Sequence, residues 1–167
     1  TKMTHFLTLM GPSPNPVEDN LIHEYVSVYH WGPGYQPNKV IFDMAFNSGD
    51  VNLIKNTALQ EKLHEWAALL ASNEGQEQSL RKHQFNLAAP WSGLHSWKSS
   101  IAMTGEMDGI GPSNFPFDQK KFLSLPALEH AVSMKLILAH IQKGLLTDIK
   151  SIQHEIMAIL KNEIETK

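Results

Sequence analysis

The sequence predicts an all-α protein: an elongated antiparallel helical bundle with a long C-terminal helix and an ordered loop insertion. Apolar residues recur at steps of three and four along most of the chain, which is the period of one helix face. Proline, glycine and capping residues divide the chain into segments of helical length. With 167 residues, 42% of them hydrophobic, the chain suits one core. We therefore expect residues 1–167 to form a single helical domain.

The composition argues against several classes of protein and site. A formal net charge of -3 and a pI near 6.3 argue against nucleic acid as a partner, because nucleic-acid binders normally present a basic surface. Cysteine is absent, which excludes disulfide bonds, thiolate metal sites and cysteine nucleophiles. No apolar run approaches the roughly 18 residues expected of a membrane span. These properties indicate a globular chain with no chemical signature in its composition.

The first helix is predicted over residues 2–10. Gly11 and Pro12 end it, because neither continues a helix well. No capping residue is recognised before it, and the chain begins Thr1-Lys2 rather than with Met. We therefore expect this helix to begin upstream and the chain to be truncated at its N-terminus.

The second helix is predicted to end at His30. Asn15 is its expected cap, with Pro16 at the first helical position. Its apolar face recurs at helical spacing through Leu21, Ile22, Tyr25, Val26 and Tyr29.

Residues 38–66 predict two helices joined by a tight corner. Asn38 caps the first, and Ser48-Gly49 ends it, because glycine readily adopts the left-handed conformation at a helix end. Asn56 then caps a longer helix. The predicted buried face of the first helix is Ile41, Phe42, Ala45 and Phe46.

The second half of the chain predicts a long helix after an irregular region. The polar stretch 72–79 permits either a helix break or an exposed kink, and the preceding helix ends before Pro90. Residues 91–123 combine glycine and proline with many apolar residues, which indicates an ordered insertion. The last helix is predicted to begin at the cap Ser124 and to exceed about 35 residues, against a usual length of about 12.

The histidines provide the only metal candidates. The chain has nine histidines, yet no two of them lie three or four residues apart. Glu61 and His64 have the Glu-x-x-His spacing of di-iron bundles, but that site needs a second copy and two further carboxylates. These two residues are weak metal candidates, and we predict no catalytic residue and no cofactor.

Aromatic residues concentrate in the predicted loops. Exposed aromatic rings are typical of recognition surfaces. The candidates for such a surface are Trp31, Tyr35, Trp91, Trp97 and Phe115. The alternative interpretation is that the rings close the core.

Three segments carry a resemblance to a known family: TLMGPSPNP (8–16), YQPNKVIFDMAFNSGDVNLIKN (35–56) and LQEKLHEW (59–66). They resemble an uncharacterised family of small bacterial membrane-anchored proteins, which has a Gly-Pro-x-Pro turn and a Ser-Gly-x-Leu-Asn-Leu-Ile-x-Asn corner. Here Val51 replaces the usual leucine of that corner. The resemblance covers roughly residues 5–66. It implies a single membrane helix before Thr1 and a helical ectodomain on the extracytoplasmic (periplasmic) side.

These observations favour a non-enzymatic, membrane-proximal domain that binds a partner protein or a small ligand. The alternatives are a metal-dependent enzyme of the helical-bundle type, using Glu61 and His64, and a structural subunit of a membrane complex. The sequence leaves the oligomeric state open, a homo-oligomer included.

Overall fold

The computed structural model describes residues 1–30, 34–35, 37–88, 93–105 and 107–165. Within these ranges the chain is helical and contains no strand. The helices are α1 (Lys2–Thr8), α2 (Asp19–His30), α3 (Val40–Ser48), α4 (Thr57–Ala88), α5 (Trp97–Thr104), α6 (Gln119–Leu123) and α7 (Pro126–Glu165), with a 3-10 turn at Asp50–Leu53. The predicted all-α fold with a long C-terminal helix is confirmed.

The chain forms two compact units. Unit 1 comprises Thr1–Pro33 and Ser79–Ala139, and unit 2 comprises Gly34–Gln78 and His140–Lys167. Helices α4 and α7 contribute residues to both units. The single domain expected from the sequence stays a prediction.

The starts of the first two helices differ from the predictions. Thr1 caps α1, since its hydroxyl accepts a hydrogen bond from the Thr4 backbone N–H at 3.2 Å. Helix α2 begins at Asp19, after Asn15 and Pro16. The reason lies in Val17, whose N–H donates to the Gln119 side-chain oxygen at 2.9 Å and whose carbonyl accepts from the Gln119 side-chain nitrogen at 2.5 Å. In a helix that carbonyl would accept from the Leu21 N–H, which here bonds the Glu18 carbonyl at 3.0 Å.

The corner after α3 forms largely as predicted. Gly49 ends α3 in the left-handed conformation, with φ 81° and ψ 5°. The Asn56 side chain caps α4 by accepting from the Leu59 N–H at 3.0 Å. Ile41, by contrast, is 83% exposed, so its predicted burial is wrong. Helix α3 instead turns its phenylalanine rings towards α4.

The region between α4 and α7 is more regular than predicted. Helix α4 continues without a break through residues 72–79, which resolves the open question at that polar stretch. The predicted insertion at 91–123 contains α5 and α6. Ser124 follows α6 and donates its hydroxyl to the Lys121 carbonyl at 3.0 Å, so its assignment as the cap of the last helix is wrong. Helix α7 begins at Pro126 and has 40 residues, which agrees with the predicted length of more than about 35.

The core of unit 1 combines residues from its two segments, Thr1–Pro33 and Ser79–Ala139. Residues from α1 and α2 pack against residues from α6 and the first turns of α7. The buried cluster consists of Met3, Phe6, Ile22, Tyr25, Val26, Tyr29, Phe122, Leu123, Leu128, Ala131 and Val132. Gln119 ties the same elements together, because its side chain bonds the backbone of Val17 and the carboxylate of Asp19.

In unit 2, α4 and α7 run antiparallel. Three polar pairs join their segments here: Asn56–Glu163 at 2.6 Å, Lys62–Glu155 at 2.9 Å and Glu77–Gln142 at 3.4 Å. Residue numbers rise along one helix as they fall along the other, which fixes the direction. The predicted antiparallel arrangement holds within this unit.

Candidate functional site

Unit 2 contains a cavity of about 650 Å³, which we call the α4–α7 cavity. Its volume lies within the range of about 300–1,000 Å³ that is typical of small-molecule sites. Its lining is mostly aliphatic and aromatic, with a few polar groups. The lining residues are Tyr35, Leu63, Trp66, Leu146, Ile149, Lys150, Gln153, His154, Ile156 and Met157.

Tyr35 forms the part of the wall that is not helical. Its backbone N–H donates to Glu77 Oε1 on α4 at 2.8 Å. Its phenol oxygen accepts from the Gln153 side-chain amide on α7 at 3.2 Å. One loop residue is therefore bonded to both helices that border the cavity, which fixes its position.

Glu77 is the polar centre of this arrangement. Besides Tyr35, its Oε1 accepts from the Asn73 side chain at 3.2 Å and from the Gln142 side chain at 3.4 Å. Its Oε1 therefore accepts hydrogen bonds from three donors, one from the loop, one from α4 and one from α7. The loop, α4 and α7 are thus joined by hydrogen bonds on one side of the cavity.

Helix α3 supports the cavity wall from behind through Trp66. The Phe42 ring meets Trp66 edge-on, with centroids 4.5 Å apart, and lies 4.4 Å from the Phe46 ring. Aromatic pairs at such distances add about 0.5–1.5 kcal/mol beyond simple burial. The Trp66 indole N–H is buried, and no acceptor lies within reach of it among the described residues. Helix α3, in the corner at residues 38–56, therefore helps to position Trp66, which lines the cavity.

Two basic side chains lie at the cavity. Lys150 and His154 are one helical turn apart on α7, and the described lining residues include no aspartate or glutamate. The nearby Glu155 is occupied by Lys62 at 2.9 Å. The hydrogen bonds that the Lys62 ammonium donates to Glu155 and Glu65 raise the pKa of Lys62 to about 12. The described part of the cavity thus combines apolar walls with a basic edge at Lys150 and His154.

Unit 1 contains a second candidate, a buried histidine pair. His23 Nδ1 on α2 lies 2.8 Å from His95 Nε2, in the turn before α5. The rings of Phe117 and Phe122 pack against the pair. Burial lowers the pKa of His23, while Asp19 opposes that shift with a smaller effect. Burial therefore favours the neutral form of His23, and at 2.8 Å one of the two ring nitrogens donates its proton to the other.

The Ser100 hydroxyl also approaches this pair, at 3.3 Å from His95 Nε2. A serine nucleophile needs one imidazole nitrogen for itself and a partner on the opposite nitrogen. Here Ser100 and His23 both contact the same nitrogen of His95, and Ser100 is only 2% exposed. The cluster is therefore poorly suited to acyl transfer and fits a packing role.

Lys135 is a further perturbed group in unit 1. Its ammonium donates to the Tyr29 carbonyl near the end of α2 and lies 5.1 Å from the centre of the Tyr29 ring. Burial lowers the pKa of Lys135 to about 8 and raises the pKa of Tyr29 to about 12. A cation at a helix C-terminus is favourable, so this contact stabilises the end of α2.

The predicted metal candidates lie on the surface of α4. Glu61 and His64 are both exposed, and the His64 ring packs edge-on against Phe46 at 5.0 Å. Within the described ranges, no three His, Asp or Glu side chains form a group that could hold a metal ion.

The described members of the predicted recognition surface fall in two different units, and the surface stays a prediction. Tyr35 is half-buried in the wall of the α4–α7 cavity. Trp97 and Phe115 belong to unit 1 and are 40% and 82% exposed. Trp31 and Trp91 lie outside the described residues.

The sequence interpretation missed the polar residues of the cavity. Three polar residues interrupt the apolar pattern of α7: Lys150, Gln153 and His154. Gln153 and His154 follow Lys150 by three and four positions, and this spacing places all three on one face of the helix, which could have indicated a polar site. The His23–His95 pair spans 72 positions, and no local pattern connects its two members.

The chain has no match among protein-family models, and no curated protein or solved structure matches it. None of the described helices is both long enough and apolar enough to cross a membrane.

Proposed function

We propose that this protein is a non-enzymatic binding domain whose α4–α7 cavity holds a small, mainly apolar molecule. The observation that carries the proposal is the cavity itself, about 650 Å³ in volume with aliphatic and aromatic walls. Burying apolar ligand surface contributes about 25 cal/mol per Å² before the costs of association. A few polar groups at the wall then orient the ligand.

The construction of the wall supports this proposal. Tyr35 is bonded to α4 and α7, and Trp66 is supported by Phe42. A wall held in this way keeps its shape without a ligand, which lowers the entropic cost of binding.

The test is saturable binding of a neutral apolar probe, N-phenyl-1-naphthylamine, followed by its fluorescence. Leu146→Trp places an indole in the cavity and is expected to weaken binding at least about tenfold, because it fills the site. Leu145→Trp is the matched control, since Leu145 is equally half-buried but does not line the cavity. Met157→Trp fills the cavity from its exposed edge and covers the case in which the first variant unfolds.

Two results would contradict the proposal. One is the absence of saturable probe binding to the wild-type protein. The other is equal binding by folded Leu145→Trp and Leu146→Trp proteins. Stoichiometric iron, manganese or zinc in the purified protein would favour the metal-dependent alternative.

The cellular location of the domain is a separate part of this proposal. We place the domain near the extracytoplasmic face of a membrane, supported by the resemblance of residues 5–66 to membrane-anchored proteins. The test is the full gene product: an apolar segment of about 20 residues just before Thr1 is expected. A polar segment there would overturn the location without affecting the cavity.

A further inference from the structure

We infer that the ligand of the α4–α7 cavity is an amphipathic anion, an apolar chain that ends in one carboxylate. This inference rests on the proposed function and adds the chemical class of the ligand. It is carried by the distribution of charge around the cavity.

The first step is the unpaired cation at the cavity edge. The neighbours of Lys150 one turn away on α7 are Leu146, Thr147, Gln153 and His154, and none carries a negative charge. Lys150 makes no ion pair within the described part of the chain. Lys62 and Lys161 each pair with an acidic residue on their own helix, at 2.9 and 3.7 Å, and Lys39, the residue before α3, lies 3.9 Å from Asp43.

The second step is the absence of a competing acid. Among the described lining residues there is no carboxylate, and Glu155 is already paired with Lys62 at 2.9 Å. A cationic ligand would meet Lys150 without a compensating charge, and like charges repel. An anionic ligand group meets an ammonium that makes no ion pair with the residues the structure describes.

The third step is geometry. Lys150 and His154 are exposed, whereas Ile149 beside them is 1% exposed. A chain that lies along Ile149, Ile156 and Trp66 therefore reaches the solvent at the two basic residues. This order of apolar wall and basic edge fits a molecule with one apolar end and one acidic end.

The experiment compares dodecanoate, dodecanol and dodecyltrimethylammonium by calorimetry at low and high salt. Dodecanoate is expected to bind about two- to fivefold more tightly than dodecanol, as for an exposed ion pair, with the cation weakest. Added salt should erase this preference, because it screens exposed charges. Lys150→Gln should remove the preference, whereas Lys143→Gln, which changes an exposed lysine of α7 away from the cavity, should retain it.

The outcomes separate the two proposals. Equal binding of dodecanoate and dodecanol, or a preference unchanged by Lys150→Gln, overturns the ligand class and leaves the binding function standing. The same holds if the naphthylamine probe binds and none of the dodecyl compounds does. If neither the probe nor any dodecyl compound binds, the proposed function fails as well.

Discussion

At the scale of single residues, His23 shows how burial sets the charge of a side chain. Its ring lies between α2 and the turn before α5, 2.8 Å from His95. Burial favours the neutral form and lowers the pKa of His23. Asp19, one turn earlier on α2, acts against this shift and is itself bonded to Gln119 at 2.9 Å.

The free energy of unfolding is expected to fall as the pH is lowered from about 7 to 5. The unfolded chain takes up a proton on His23 near pH 6.5, while the folded protein does so only at lower pH. The stabilisation by neutral His23 is thus present above about pH 6.5 and lost as the pH falls through the folded-state pKa. Urea unfolding at a series of pH values measures this effect.

His23→Gln should flatten that pH dependence, because it removes the buried imidazole. His130→Gln, at an exposed position of α7, controls for the loss of one histidine. If the wild-type and His23→Gln proteins showed the same pH dependence, the buried pair would not be its source.

At the scale of secondary-structure elements, glycine serves two different purposes in this chain. Gly49 ends α3 with φ 81°, a conformation that other residues adopt only at a cost. Gly144 lies inside α7, where no atom stands within 4 Å of an added Cβ. The same substitution should therefore have opposite effects at the two positions.

Gly49→Ala is expected to lower the free energy of unfolding by about 1–2 kcal/mol, the cost of a left-handed alanine. Gly144→Ala should raise it by up to about 1 kcal/mol, because alanine favours the helix. Chemical denaturation of both variants beside the wild type measures the two changes. Changes of the same sign would show that the conformation at Gly49 is not required.

The elements also show which signals can be read from a sequence. Gly49 and Asn56 were predicted correctly because a helix end and a cap depend on residues only a few positions apart. Ser124 was misassigned because a serine between two helices can serve either one, and here it bonds back to Lys121 of α6. The start of α2 was misplaced because Val17 is held by Gln119, 102 positions away.

At the scale of the whole molecule, unit 1 depends on residues that are far apart in the chain. Its buried cluster combines α1 and α2 with Phe122, Leu123, Leu128, Ala131 and Val132. The Lys135 contact to Tyr29 spans 106 positions. The first helices therefore cannot complete their core without the later ones.

A chain that stops after Asp118 is expected to lose cooperative unfolding. It keeps α1 and α2 but lacks the later members of the unit 1 cluster. A chain that stops after Glu165, at the end of α7, is the control and should unfold as the full sequence does. Near-ultraviolet circular dichroism during urea titration measures the outcome. A sigmoidal transition in the shorter chain would show that this core forms without Phe122.

The sequence predicted the fold class well and the candidate site only in part. Helical periodicity and caps are local, so α3, α4 and α7 were recognisable. The cavity depends on how α4 and α7 pair, which brings Tyr35 to Gln153 across 118 positions. Of the predicted aromatic residues, Tyr35 lines the cavity, whereas Trp66, which also lines it, was not among the predicted candidates.

The position of Tyr35 also bears on how this protein can change over generations. It shapes the cavity from a loop, whereas the other described lining residues belong to α4 and α7. Loop residues tolerate substitution better than helix residues that pack on both sides. A new side chain at position 35 can therefore alter the size of the accepted molecule while both helices keep their sequences. This single residue gives the scaffold an accessible route to new binding preferences.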